Sequence, residues 1–151
     1  MQSKTCSDCH AVLKDEQTCL DHFHMMGYWE LDHQLYDVHH LMVLSYYLQH
    51  PGSLSMEWLA NAKMQLVAYL EKGITPQQMR KQLATEVNSS NRTYKIKATP
   101  ESTAHYEYAI QWTMTALDVV AGSIENYYTN VETWARSILH ALRQSNNLRE
   151  I

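Results

Sequence analysis

Apolar positions recur every three or four residues along most of this chain, and the breaks between the runs divide it into helices. The first eighteen residues are polar and have little to pack. From Cys19 to about Leu35 the pattern is mixed and reads as a helix, with Gly27 a candidate interruption. "VHHLMVLSYYLQH" is apolar around most of its circumference, which predicts a central, buried helix with Asp37 as its cap. His50-Pro51-Gly52 stops it, because proline disfavours helical geometry in the residue before it.

Ser55 is placed to cap a third helix. Leu59, Ala62, Leu66, Val67 and Leu70 form its stripe, and Gly73 ends it. "TPQQM" is a start signal, with Thr75 as cap, Pro76 at the first helical position and Gln78 closing a capping box. Met79, Leu83 and Val87 would be its apolar face. "RTYKIKA" alternates Tyr94, Ile96 and Ala98 with charged neighbours, which suggests a short strand or extended arm. Residues 98–112 carry no readable period. Thr115 and Asp118 suit the start of a short helix through Val120. The clearest stripe is Ile124, Tyr127, Tyr128, Val131, Trp134, Ile138 and Leu142, a final helix of about five turns. The expectation is an all-α single domain over residues 1–151: a bundle of five or six helices, with residues 1–22 as a small metal-binding knuckle.

Composition narrows the class. Hydrophobic residues at 45% and charged residues at 19% indicate a globular chain. The net charge of −4 and the lack of a long basic run argue against a nucleic-acid binder. Arg92, Tyr94, Lys95 and Lys97 are the one patch that interleaves basic and aromatic residues, and it is short. Ten tyrosines against one phenylalanine favour half-buried faces, grooves and interfaces. No apolar run approaches the ~18–20 residues of a membrane span, and the polar N-terminus lacks a signal-peptide core. A cytoplasmic protein is the resulting expectation.

The N-terminus carries the chemistry. Three cysteines cannot close an intrachain disulfide set, and Cys-x-x-Cys in a reducing compartment points to metal or redox work. No strand or βαβ pattern precedes the pair, so a thioredoxin-like site is disfavoured. Cys6 and Cys9 can hold one Zn²⁺ between them, and Cys19 supplies a third thiolate. His22 is the local candidate for the fourth ligand, three residues along one helix face from Cys19. His39 is a non-local candidate, and His10, His24 and His40 are weaker ones. His39 and His50 share a helix face about 16 Å apart at about 1.5 Å per residue, so both cannot bind one ion. His50, before Pro51, suits a structural role at a helix C-terminus.

Four blocks together resemble a bacterial family of small proteins classed as a domain of unknown function. They are "CSDCHA" with Cys19, "HHLMVLSYYLQHPG", "NRTYKI", and "WTMTALDVV" followed by "YYTNVETWARSILHAL". The resemblance implies that Cys6, Cys9, Cys19, Glu30, His39, Gln49, His50, Pro51, Trp112, Asp118 and Trp134 sit at typical family positions. It moves the expected fourth ligand from His22 to His39. His10 departs from the pattern, since the family places glycine there, which would ease a knuckle turn. The resemblance implies no activity.

Two functions follow as expectations. The first is a zinc-binding helical module acting through a protein partner or small ligand, its metal closed by Cys6, Cys9, Cys19 and His39. The second is a metal-dependent hydrolase or transferase, with Glu30, His39, His50 and Asp118 around a site inside the bundle.

Overall fold

The N-terminal turn is framed by two short strands. β1 (Lys4–Thr5) pairs antiparallel with β2 (Val12–Leu13), Lys4 opposite Leu13 and Thr5 opposite Val12. The computed structural model describes residues 4–14, 16–75, 77–78, 81 and 103–148, and five α-helices lie among them.

α1 (Cys19–Asp32) begins with a reciprocal cap: the Asp21 amide donates to the Thr18 hydroxyl at 3.2 Å, and the Thr18 amide to the Asp21 carboxylate at 2.7 Å. The helix runs through Gly27 unbroken. One glycine costs a helix only about 1 kcal/mol, and the buried Met26 and Glu30 on either side anchor this one. It stops short of Leu35, where Gln34 turns left-handed at φ 55° and the Leu35 amide returns to the Glu30 carbonyl.

α2 (His39–Gln49) has the expected central position, packed against both α3 (Met56–Glu71) and the last helix. Its expected cap is not used. Val38 is the N-cap and no side chain bonds the first turn, because Asp37 falls one residue too early. The Ser55 hydroxyl caps α3 by accepting from the Trp58 amide, and Gly73 follows its end at φ 71°. Thr75 and Gln78 exchange the two bonds of their capping box. The Met79, Leu83 and Val87 stripe, the Tyr94–Ala98 alternation, and Arg92, Lys95 and Lys97 lie outside the described residues.

α4 (Ala116–Ala121) opens on the Thr115–Asp118 capping box and packs on α1. The final stripe is shorter than its period suggested. Ile124 belongs to a 3₁₀ turn (Ile124–Asn126), Tyr128 is exposed, and α5 runs from Tyr127 to Gln144. No helix among the described residues is long and apolar enough to cross a membrane.

Residues 103–115 form an irregular strap with no periodic face. Tertiary bonds hold it instead. The Ala104 amide donates to the Leu54 carbonyl at 2.8 Å, and the Tyr106 hydroxyl donates to the Leu48 carbonyl. Asn147 clips both backbone groups of Tyr108, at 3.1 and 2.9 Å.

The core centres on Trp134, fully buried on α5. Its indole N–H donates to Gln49 Oε1 at 3.1 Å, and Gln49 Nε2 donates to the Met114 carbonyl at 2.7 Å. One buried amide thus ties α2, α5 and the strap together. Trp134→Ala should destabilise the fold by roughly 3–5 kcal/mol, as large aromatic truncations do. Trp134→Phe keeps most of the volume but leaves Gln49 Oε1 without its donor, at a cost of about 1–3 kcal/mol. Urea denaturation of the two variants reads both effects, and a negligible loss in Trp134→Phe would mean that the hydrogen bond carries little.

Candidate metal centre

The knuckle forms because the chain reverses between Cys6 and Ala11. The His10 amide donates to the Cys6 carbonyl at 3.0 Å, and the Cys6 amide donates to the Ala11 carbonyl at 2.9 Å. Closing this turn puts His10 in the left-handed region at φ 66°. Histidine tolerates that region better than most side chains, so the turn closes without a glycine. Cys9 and Cys19 are buried, and Cys6 is half-buried.

Cys19 enters from the first residue of α1, where the Thr18 cap fixes the helix start. His50 enters from the far end of α2. One ligand atom from each of Cys6, Cys9, Cys19 and His50 lies within 4.8 Å of all the others. The Cys9 and Cys19 sulfurs are 3.5 Å apart, too far for a disulfide, and Cys6 Sγ is 3.6 Å from His50 Nε2. Zinc bonded to sulfur at about 2.3 Å and nitrogen at about 2.0 Å gives tetrahedral edges of roughly 3.5–3.8 Å. These two edges match a tetrahedral cation, and the four donors together are compatible with one.

The sequence expectation put His39 fourth; the structure sets His50 beside the thiols instead. Pro51 explains why. It forces His50 out of helical geometry, to φ −135° and ψ 65°, so the His50 amide bonds Tyr47 rather than Tyr46. The Tyr46 carbonyl then accepts from His50 Nδ1 at 2.8 Å. That bond fixes the tautomer and turns Nε2 to the sulfurs. The Tyr46 ring stacks on the imidazole with centroids 4.3 Å apart.

The protons of the cluster are shared unevenly. The hydrogen bond from Cys19 pulls the Cys9 thiol down to about 4, against the opposing effect of burial. The same bond, with burial, pushes Cys19 up. Burial alone would lower His50, but bonds to Cys9 and to the Tyr46 carbonyl outweigh it and lift the imidazole to about 9. A divalent cation bound at the cluster would displace these protons.

The other candidates lie elsewhere. His39 Nδ1 is 2.7 Å from Glu30 Oε1, and the Tyr127 hydroxyl donates to Glu30 Oε2 at 2.6 Å. Glu30 is almost fully buried, so this triad satisfies a carboxylate that would otherwise be costly to desolvate. His22 is buried with neither ring nitrogen bonded, and its burial lowers its pKa. His24 lies against Phe23, and His40 against His39. Asp118 is the carboxylate of the α4 capping box. The residues expected around an internal catalytic site therefore fall in three separate places.

Two substitutions test these local arguments. Tyr127→Phe removes a donor from the buried Glu30 and should cost about 1–3 kcal/mol in urea denaturation. His10→Gly relieves a left-handed side chain and should gain about 0.5–1 kcal/mol after the added freedom of the unfolded chain is offset. A loss of stability in the glycine variant would mean that the imidazole makes a contact worth more than the strain.

Searches of curated proteins and of solved structures find no match to the chain. The model of a family of unknown function (DUF5946) matches residues 4–143, from the first strand to the end of α5, in keeping with the resemblance drawn from the four motif blocks. The chain belongs to that family.

Proposed function

We propose that the chain is a zinc-clamped helical module that works by binding a protein partner or small ligand, with Cys6, Cys9, Cys19 and His50 as the zinc ligands. The observation that carries this reading is the convergence of four protein donors within 4.8 Å of one another, with two of the pairs at tetrahedral edge length. A complete Cys₃His set leaves zinc no position for a substrate water, which characterises structural rather than catalytic sites. Thiolate donors favour zinc over the harder magnesium and calcium ions. The carbonyl bond to His50 Nδ1 is the outer support that a zinc-bound imidazole usually carries.

The clamp also answers a packing problem. Among the described residues ahead of α1, Cys9, Ala11 and Leu13 are the buried apolar side chains. That is little area to hold a β-turn against a bundle. A metal bridge from the knuckle to α1 and to the end of α2 would supply the missing attachment, since structural zinc binding becomes folding free energy.

Elemental analysis of protein purified without a metal column tests the assignment. One zinc per chain is expected in the native protein and in His39→Ala. His50→Ala and Cys9→Ser should lose the metal and melt at lower temperature. Zinc retained in His50→Ala but lost from His39→Ala would sink this ligand set.

A further inference from the structure

Beside the metal cluster lies a cleft of about 350 Å³, walled by the knuckle loop, the end of α2 and the 103–115 strap. The Tyr106 and Trp112 rings stand in its wall edge to face, with centroids 6.0 Å apart. Asp8 and Glu107, both exposed, also line it, and the lining contains neither lysine nor arginine. Among the described residues these two carboxylates take part in no ion pair or hydrogen bond. Two acidic groups thus share one aromatic-walled opening with His10 and His105, and no lysine or arginine stands among them.

The cleft is also built to hold its shape. The Tyr106 hydroxyl is anchored on the Leu48 carbonyl, and Asn147 grips the backbone of Tyr108. Asp8 sits inside the Cys6–Cys9 turn, so whatever fixes the two cysteines also fixes the backbone that carries this carboxylate. A site ordered before binding loses less entropy when it is filled.

We propose that this cleft takes a guanidinium group, presented as an arginine side chain by a partner protein. A guanidinium is planar and weakly hydrated, stacks on aromatic faces and pairs with carboxylates through a fork of donors. An aromatic wall beside a negative rim offers both interactions at once. The volume is near the lower end of the roughly 300–1,000 Å³ of ligand pockets, which suits one long side chain better than a large cofactor. The inference deepens the binding-module reading and rests on it.

The test titrates zinc-loaded protein with N-acetyl-arginine methylamide and, separately, with a short peptide carrying one central arginine. Indole N–H signals are followed by NMR, and Trp112→Phe identifies the signal of that residue. Both arginine compounds should shift it saturably, the peptide at least as tightly as the amide. The uncharged citrulline analogue should bind about tenfold more weakly or worse, a difference of about 1.4 kcal/mol. Asp8→Asn combined with Glu107→Gln should weaken arginine binding by about tenfold while leaving zinc content and melting temperature unchanged.

Equal binding of the citrulline analogue, unchanged affinity in the double variant, or no saturable shift in protein that holds its zinc would each overturn the proposal. Binding of the amide but not the peptide would overturn the protein partner as its source. Zinc content of the same samples reports on the clamp separately. Protein that binds arginine yet contains no zinc would overturn the clamp and leave the cleft standing.

Discussion

The end of α2 is the constraint on which both the core and the Cys₃His cluster depend. Pro51 cannot follow a residue in helical geometry without a clash, so the helix must stop at Gln49. Three consecutive residues then serve three parts of the molecule. Gln49 points into the core and joins Trp134 to the strap. His50 swings toward the cysteines and hydrogen-bonds the carbonyl that the broken helix no longer uses. Pro51 lines the cleft. A helix continuing by one more turn would lose the cluster and the cleft wall together.

The elements set by local rules were legible in the sequence. The Ser55 cap, the Thr75–Gln78 and Thr115–Asp118 boxes, the Gly73 stop and the long stripe of α5 each follow from spacing and side-chain chemistry within a few residues. The strap was not legible. Its conformation depends on Leu48, Leu54 and Asn147, all distant in sequence, so no period marks it. Asp8 and Glu107 gave no signal either, because exposed carboxylates in loops are ordinary until a fold brings them to one opening.

The Cys₃His cluster was legible in part. The spacing of Cys6, Cys9 and Cys19 marked three donors, and the fourth depended on where the knuckle docks. Helix geometry correctly separates His39 and His50 by nearly three turns and so excludes a shared ion. It cannot say which end of α2 meets the knuckle. The decisive local sign was the proline after His50: a histidine at a broken helix end has a carbonyl available to fix its tautomer. His39, in the first turn of the same helix, instead meets the buried Glu30 and completes a polar triad with Tyr127.

This arrangement makes the knuckle more than an appendage. Its loop contributes only a few buried apolar groups, yet it carries Asp8 into a cleft otherwise built from the strap and the end of α2. Packing of that size cannot fix a side chain to the tolerance that binding requires, whereas ligands from three separate segments can. A metal at the cluster would therefore set the geometry of the cleft as well as the stability of the fold. The two properties share one physical cause, because the same turn holds Cys6, Asp8 and Cys9.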